Sequence, residues 1–482
     1  MIRQLEEKYN FLCVDLFDSL DYDYFYDMTH INLGGAMVIH SKLSIKLLNQ
    51  GILPFESFLD MDYEYFRRLS WNMPKEEYNS FMERVFKLSA QKICGKEKIK
   101  IGFVLYEASQ WSGDELYNFF ANNERFETTI FLCLQVFANN NELVRKDFWH
   151  GVEQFKSHGL NVVALENWNA TIPEQDMLIY LTPHFNALPL SLRFLNLTPK
   201  TLIAYIPPSF DVAANMNIYY NVDILRIAWK VFLSSDIALK LYKQNSTIEL
   251  PQGFYSGYPR ADVFFDKNKK FEFQWKMARP KAKKIIWAPH WSIRGDANIG
   301  YATFQWNYQF MYDFAKAHPE TSWVVKPHPN LFFSAVAEKI FPSVEAFQGY
   351  LQAWNDLPNA QVYTGAYYQE IFATSDGMIH DSASFIAEYQ FVNKPMIFLT
   401  REGESFNKMG SDILNVSYLI DGKKLYVISE AIRKIFIKGK DKVASQRKKI
   451  FNKYLNYPKA NGMSASEFIY KNIADELKPE IL

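Results

Sequence analysis

FATSDGMIHDSASFIAEYQFVNKPMIFL, residues 372–399, is the stretch that decides the fold of this chain. Apolar Met378 and Ile379 close a strand, an amphipathic helix is predicted over 385–389, and a second apolar run covers 396–399. A strand, a tight turn, a helix and a second strand in this order are typical of an α/β fold, in which ligands bind beyond the carboxyl ends of the strands. The stretch therefore predicts a parallel sheet, with a ligand bound at the edge where its strands have their carboxyl ends.

Polar side chains crowd the turn between that strand and that helix. They are His380, Asp381, Ser382 and Ser384. The first N–H groups of a helix are unpaired and the helix dipole is positive at that end, so hydroxyl groups placed there suit a phosphate. The turn predicts a diphosphate-binding site; the alternative is that Asp381 or Ser382 only caps the helix.

The same alternation of strands and helices runs through most of the chain. The predicted strands are 99–105, 128–134, 161–165, 177–181, 202–205, 284–288 and 323–326, and the predicted helices between them are 114–122, 142–158, 306–317 and 334–341. Such alternation is typical of parallel sheets covered by helices on both faces. We expect an α/β protein with two Rossmann-like domains facing a cleft, at 96–255 and 256–482, after a small N-terminal extension at 1–95.

Three further motifs lie at strand ends or at the junction of the two halves. Gly-Tyr-Pro-Arg-Ala-Asp occupies 257–262 at the junction, Trp-Ala-Pro-His-Trp-Ser occupies 287–292 and Lys-Pro-His-Pro occupies 326–329. His328 stands between two prolines, so a rigid turn presents its imidazole with little freedom to lose. A ring held in this way suits phosphate contact or proton transfer; the alternative is a histidine that only packs in a turn.

In order and spacing, these four blocks resemble those of the CDP-glycerol glycerophosphotransferase family, the teichoic-acid and capsule polymerases of bacteria. That family carries a GYPRND-like segment, an APTW-like strand end, an RPHP or KPHP turn and a TDYSS-like turn, and the resemblance covers about 205–475. It implies a GT-B-like architecture. It also implies a cytoplasmic enzyme, able to work at the inner face of the membrane, that moves glycerol phosphate or a similar phospho-alcohol from a CDP-linked donor to a hydroxyl of a lipid-linked or capsular glycan and releases CMP.

Two alternatives to this function stay open. A glycosyltransferase that uses a nucleotide sugar would share the scaffold, because a fold alone does not fix the group transferred. A non-catalytic protein of capsule assembly is the other alternative.

The resemblance also implies roles for the motif residues. His328 matches the histidine that contacts the donor diphosphate and supports departure of the nucleotide, and Lys326 would bring a positive charge to the same phosphates. Glu388 would accept from ribose hydroxyls or be a solvated helix carboxylate, and Arg260 would reach a phosphate or tie the linker down. The implied substrate-binding residues are Lys326, His380, Asp381, Ser382, Ser384, Glu388, Arg260 and Asp262.

The chain departs from the family at one place with consequences for the mechanism. Members carry a WHGTPLK-like segment whose histidine is the proposed base for the acceptor hydroxyl, but residues 202–211 here read LIAYIPPSFD. His290 and His184, which both follow predicted strands, are the candidate substitutes. A general base must come within hydrogen-bond reach of the hydroxyl, which a sequence does not reveal.

Composition bounds the remaining possibilities. Lysine plus arginine equals aspartate plus glutamate at 53 each, so no global field favours nucleic acid. Three scattered cysteines and the lack of paired metal-ligand motifs lead us to expect no disulfide, metal or cofactor. No apolar run of about 18 residues occurs and the first residues lack a signal-peptide core, which favours a cytoplasmic protein that does not span a bilayer.

Two segments stand outside this scheme. The cationic tail at 428–457 is typical of a helix that lies on an anionic membrane or grips a polyanion, or else of a solvated helix face. Residues 25–36, FYDMTHINLGGA, resemble the last block of SGNH-type esterases, with Asp27 and His30 as the Asp-x-x-His pair. Because no GDS-like nucleophile segment precedes it, we interpret 1–95 as a partial SGNH-like remnant.

Overall fold

The computed structural model describes residues 54–136, 141–214, 219–247, 253–295 and 300–479. Its strands form two parallel sheets. The first has the order β3-β2-β1-β4-β5-β6-β7. Its strands are β1 (Ile99–Leu105), β2 (Phe126–Cys133), β3 (Val162–Leu165), β4 (Met177–Tyr180), β5 (Leu202–Tyr205), β6 (Lys230–Leu233) and β7 (Gly253–Tyr255).

The second sheet has the order β10-β9-β8-β11-β12-β13. Its strands are β8 (Lys283–Ala288), β9 (Thr321–Val325), β10 (Ala360–Val362), β11 (Gly377–His380), β12 (Met396–Thr400) and β13 (Tyr418–Asp421). Every neighbouring pair in both sheets is parallel. Strands β4, β5, β9 and β11 are buried at every position, as expected of parallel strands covered on both faces.

Helices flank both sheets. Those before β8 are α1 (Tyr63–Asn72), α2 (Lys75–Cys94), α3 (Asp114–Ala121), α4 (Glu142–Ser157) and α5 (Asp236–Asn245). Those after it are α6 (Phe304–Ala317), α7 (Leu331–Ala337), α8 (Val344–Asp356), α9 (Gln369–Thr374), α10 (Ala383–Glu388), α11 (Lys408–Leu414), α12 (Leu425–Ala431), α13 (Ala444–Tyr454), α14 (Tyr457–Asn461) and α15 (Ala465–Glu476). The predicted α/β class with two parallel-sheet domains is confirmed.

The helices that precede the first sheet belong to its hydrophobic core. Buried side chains of α1 and α2 pack in one cluster with β1, β4 and β5. The Tyr63 hydroxyl donates to the Thr201 carbonyl (2.8 Å) and the Tyr78 hydroxyl to the Arg226 carbonyl (2.6 Å). The SGNH-like block at 25–36 lies outside the described residues.

The last helix returns to the first domain. Ile469, Ile473 and Leu477 are fully buried in the core of the first sheet, although α15 follows all strands of the second. The chain therefore crosses between the domains twice, once near Gly257 and once before α15.

The cationic tail is not one helix. It comprises α12, a π-helical segment over Ile432–Ile437 and α13. Ile428 and Ile432 are fully buried in the core of the second sheet, and Ile435 and Phe436 are nearly so. These apolar residues hold the tail on its own domain, so they are not available to lie on a membrane.

Candidate active site

Three histidines stand at the carboxyl ends of three adjacent strands of the second sheet. His290 follows β8, His328 follows β9 and His380 is the last residue of β11. The ring centroids of His290 and His328 are 5.2 Å apart. Because β9, β8 and β11 are neighbours in the sheet, their three motifs lie together at one edge of it, as predicted.

Each of these histidines is held by the same local hydrogen bond. The Nδ1 atom accepts from the backbone N–H of the residue two positions further on, and these donors are Ser292 (3.3 Å), Asn330 (3.1 Å) and Ser382 (3.1 Å). An imidazole whose Nδ1 accepts carries its hydrogen on Nε2 when neutral. These backbone hydrogen bonds therefore fix the tautomer in which Nε2 of each ring carries a hydrogen and can donate it.

Burial keeps these rings neutral. It lowers the pKa of His290 and of His380 to about 3. The half-buried His328 also loses surrounding water, which lowers its pKa well below the ordinary value, and the nearby His290 ring and Lys326 charge act in the same direction. The His380 ring is fully buried, and its Nε2 has no hydrogen-bond partner among the residues that the structure describes. A buried donor without a partner is costly, so this atom is suited to a ligand oxygen.

We expect nuclear magnetic resonance to find the His290 and His380 rings neutral and in the Nε2–H form throughout pH 8 to about 5.5, because burial lowers both pKa values to about 3. Long-range ¹⁵N–¹H spectra of the nine histidines, assigned by single substitutions, measure both the charge and the tautomer. Protonation of His290 or His380 with a midpoint near pH 6.5, the ordinary value, would contradict the donor assignment.

Two hydroxyl groups and one ammonium group complete the polar surface at this edge. Neither Ser382 nor Ser384 forms a side-chain hydrogen bond to a described residue, so both hydroxyls are available. The Lys326 side chain is 5% exposed and has no hydrogen-bond or ion-pair partner in the described part of the chain; its Nζ lies 4.8 Å from the Tyr368 ring centroid. Burial lowers the pKa of Lys326 to about 8, which leaves it mostly charged at neutral pH. Helix α10 has only six residues, so the side chains carry more of the site than the helix end does.

Asp381 is tied to the protein rather than free for a ligand. Its Oδ1 accepts from the His290 N–H (2.6 Å), and its Oδ2 accepts from the Thr303 N–H (2.6 Å) and hydroxyl (2.8 Å). A carboxylate with both oxygens engaged fixes the loops that carry His290 and Thr303. The geometry therefore gives Asp381 a scaffolding role, and the expected substrate contact by Asp381 gains no support from it.

Arg260 and Glu388 form a buried network that joins the domains. The Arg260 Nε donates to the Trp111 carbonyl (2.7 Å), its Nη2 to the Ser109 carbonyl and its Nη1 to the Tyr368 hydroxyl. The Tyr368 hydroxyl donates to Glu388 Oε2 (2.5 Å). Of the two interpretations of Arg260, the contacts favour the one in which it ties the linker down. The alternative that Glu388 is a solvated helix carboxylate is wrong, because its side chain is 5% exposed.

Asp262 caps the returning helix. Its Oδ1 accepts from the Tyr457 hydroxyl (2.7 Å) and the Ala465 N–H (2.9 Å), and its Oδ2 accepts from the Ser466 N–H (2.8 Å) and hydroxyl (2.6 Å). The neighbouring Gly257 has φ +91°, and a Cβ there would overlap the Tyr457 ring. Gly257 and Asp262 thus fix the crossing between the domains, and Asp262 has the contacts of a structural residue.

The structure makes His290 a hydrogen-bond donor and places the His184 ring 6.3 Å from the ring of Tyr106, so the general base stays a prediction. The Nδ1 of His290 is engaged by Ser292 and its Nε2 carries the hydrogen, so the ring is a donor. His184 lines a groove with residues of the first domain, among them Glu64, Arg193 and Asp223.

Two carboxylates at the cleft were not predicted from the sequence. Glu107 follows β1, and Asp147 lies in α4. Both line a cavity of about 60 Å³ together with Asn330 and Thr364 of the second domain. The rule that polar residues after strands mark the site would have found Glu107, which stands two positions beyond Leu105.

Neither a membrane-spanning helix nor a metal-ligand cluster occurs among the described residues. Among the helices described, none is long and apolar enough to cross a membrane. The same residues contain no group of three or more histidine, cysteine, aspartate or glutamate side chains that could hold a metal ion.

Two parallel-sheet domains that meet at a cleft form a GT-B-like architecture, with hydrogen-bond donors at the strand ends of the second domain. The sequence matches the model of the CDP-Glycerol:Poly(glycerophosphate) glycerophosphotransferase family over residues 217–475, more than half of the chain. The chain belongs to this family, as its four motifs predicted. It is an enzyme of the class that transfers glycerol phosphate from CDP-glycerol.

Solved structures share the fold. The wall teichoic acid polymerase TagF, as a histidine-to-asparagine variant soaked with CDPG, is 12% identical with a TM-score of 0.52, and the match covers 93% of this chain and 98% of that one. A histidine-to-alanine variant of the same polymerase is 11% identical with a TM-score of 0.51, over 92% and 98%. A search of curated protein sequences found no match.

Proposed function

We propose that this enzyme moves glycerol phosphate from CDP-glycerol to a hydroxyl group of a teichoic-acid-like or capsular surface glycan and releases CMP, with the donor diphosphate bound at the three strand-end histidines. The observation that carries the proposal is the buried Nε2–H of His380, which lacks a partner among the described residues at the edge where His290 and His328 present the same group. The name of the similar polymerase TagF supports a wall polymer as the acceptor. A lipid-linked or capsular acceptor would put the reaction at the cytoplasmic face of the membrane.

The chemistry of the donor fits these groups. The acceptor oxygen attacks the phosphorus that bears glycerol, the bond from that phosphorus to the bridging oxygen of CMP breaks, and negative charge develops on the departing CMP. Phosphoryl transfer of this kind depends mainly on positioning and on electrostatic stabilisation. Neutral Nε2–H donors and the Lys326 ammonium can supply that stabilisation without a proton transfer to the leaving group. The residues that we assign to the diphosphate are His290, His328, His380, Lys326, Ser382 and Ser384.

The test is a donor panel. The purified protein is incubated with an acceptor glycan and with CDP-glycerol, CDP-ribitol or nucleotide sugars, and the released nucleotide is identified. CMP release from CDP-glycerol supports the proposal. Release of a nucleoside diphosphate would favour a glycosyltransferase, and no turnover on any donor together with tight glycan binding would favour a non-catalytic protein.

Ser384→Ala should weaken binding of CDP-glycerol about tenfold to a hundredfold, because a hydrogen bond to a charged group is worth about 1.5–3 kcal/mol. Calorimetric titration measures the affinity. Ser417→Ala is the matched control, since the Ser417 hydroxyl bonds to the Ile413 carbonyl (2.9 Å) on the same domain. Equal affinities for Ser384→Ala and the wild type would remove Ser384 from the site.

His380→Ala should act in the same direction as Ser384→Ala. The ring centroid of His380 lies 5.2 Å from that of Phe398, so this variant also loses packing. Its affinity for CDP-glycerol is therefore compared with that of the wild type at a temperature where both are fully folded. An unchanged affinity would mean that the diphosphate binds elsewhere.

A further inference from the structure

The cavity between the two domains has the polar groups of a reaction site on both walls. From the first domain it is lined by Glu107, Ser109 and Asp147, and from the second by Pro329, Asn330 and Thr364. Pro329 and Asn330 directly follow His328, and the Asn330 N–H is the group that orients the His328 ring. The cavity thus begins where the proposed diphosphate site ends, and its opposite wall carries two carboxyl groups.

A separate observation points to a ligand at this place. Lys326 is 5% exposed and has no hydrogen-bond or ion-pair partner among the described residues. Its charge acts on both Glu107 and Asp147 across the domain boundary. A buried ammonium group that no described carboxylate neutralises by direct contact is suited to an anionic ligand beside it, at the edge of this cavity.

The surroundings of Glu107 give it the properties of a base. The only hydrogen bond of its carboxyl group within the described residues comes from the Ser109 hydroxyl (3.3 Å). Burial, with the Asp147 charge in addition, raises the pKa of Glu107 to about 7, while Ser109 and Lys326 act in the opposite direction. A general base is most effective when its pKa lies near the working pH. The two histidines first considered for this role do not share these properties.

We propose that Glu107 is the general base for the acceptor hydroxyl, which binds in this cavity, and that Asp147 is a positioning residue acting through Glu107. This inference rests on the proposed function. The Glu107 carboxylate takes the hydroxyl proton as the acceptor oxygen forms its bond to the glycerol-bearing phosphorus. The bond from that phosphorus to the bridging oxygen breaks, and CMP keeps the electron pair. The proton later passes from Glu107 to water, which restores the carboxylate.

The decisive variant is Glu107→Gln, which keeps the shape of the side chain and removes the base. We expect kcat for CMP release to fall about 100-fold to 10,000-fold, the range typical of general acid–base catalysis, with the affinity for CDP-glycerol unchanged. Glu107→Asp keeps a carboxylate on a shorter stem and should recover part of the rate. Glu115→Gln is the matched control: burial also raises the pKa of Glu115 to about 7, but this carboxyl group bonds to Ser464 and does not line the cavity.

The pH profile separates a base from a structural carboxylate. The groups that act on Glu107 are Tyr106 and Ser109 on its own segment, Asp147 on α4 and Lys326 after β9, and Lys146 and His150 act on Asp147. In the wild type, kcat/KM should fall as pH drops through about 7, because Glu107 protonates, and should fall again above about 8 as Lys326 loses its charge. Asp147→Asn removes a charge that raises the Glu107 pKa, so the acid limb should move to lower pH.

Each outcome decides the assignment. Loss of turnover in Glu107→Gln with wild-type donor affinity, together with the shifted acid limb in Asp147→Asn, supports it. Turnover of Glu107→Gln within about twofold of the Glu115→Gln rate overturns the base and leaves the proposed function standing. A wild-type protein that binds CDP-glycerol but releases no CMP with any acceptor overturns both.

Discussion

Replacing His328 with alanine should lower kcat for CMP release about 100-fold to 1,000-fold, the loss typical of one preorganised electrostatic donor. The ring follows β9 between two prolines, and the Asn330 N–H holds its Nδ1 so that Nε2–H points away from the turn as a donor. The thermal midpoint should barely change, because the ring is partly exposed and lies in a turn. Steady-state kinetics and a melting curve measure the two effects.

His328→Gln separates the two possible roles of this ring. Glutamine keeps an N–H donor but does not titrate, so it should recover part of the rate if His328 acts by hydrogen bonding, and none if it transfers a proton. His318→Ala is the matched control, because that ring stacks on Phe314 (4.1 Å between centroids) and bonds to Glu320 on the same domain. Wild-type turnover in His328→Ala would remove this residue from the mechanism.

Replacing Arg260 with alanine should destabilise the protein by about 3–5 kcal/mol, because it removes three hydrogen bonds of a buried charge and leaves the buried Glu388 carboxylate without the opposite charge near it. The guanidinium is 4% exposed and donates to two carbonyls of the first domain and to Tyr368 of the second. Burial raises the pKa of Glu388, and the positive charge of Arg260 opposes this rise. Without Arg260, the Glu388 carboxylate loses that stabilisation. Denaturant unfolding measures the change in free energy.

Arg433→Ala is the control for that experiment. Arg433 pairs with Glu430 at 3.8 Å and both side chains are about half exposed, so its removal should cost about 1 kcal/mol or less. If Arg260→Ala unfolded at the same denaturant concentration as Arg433→Ala, the network would not hold the domains together. The Arg260 variant should also lose turnover. Arg260 holds the first domain, which carries Glu107, against the second, which carries Lys326, so its loss should move these two groups apart.

Most central strands were predicted from the sequence, although β6 was not, and both edge strands of the second sheet were missed. Strands β1 and β5 have the predicted bounds, since a strand covered on both faces carries a continuous apolar run, which is 101–105 in β1 and the whole of β5. Strand β10, three residues with Gln361 at its centre, and β13, which ends in Asp421, carry no such run. Both lie at the edges of the second sheet, where one side of a strand lacks a neighbour and polar residues are tolerated.

Sequence patterns indicate where the candidate site lies better than they assign roles to its residues. The position of His290, His328 and His380 follows from strand ends, which a pattern predicts. The roles of Asp381 and Asp262 depend instead on partners far along the chain, Thr303 at 78 residues and Ser466 at 204 residues, which no spacing reveals. Whether a carboxylate contacts a ligand or a backbone amide is therefore decided by tertiary packing. Glu107 follows a predicted strand and could have been noticed for that reason, but only the fold shows that it lies opposite Asn330.

The central claim is that the donor diphosphate binds at the strand-end histidines of the second sheet. A crystal structure of Glu107→Gln soaked with CDP-glycerol tests it most directly, because that variant should bind the donor and not consume it. We expect phosphate oxygens within hydrogen-bond distance, about 2.7–3.2 Å, of Nε2 of His328 and of Nε2 of His380. The glycerol-bearing phosphorus should face the cavity that residue 107 lines. A diphosphate bound away from both rings, or density in the groove beside His184 instead, would contradict it.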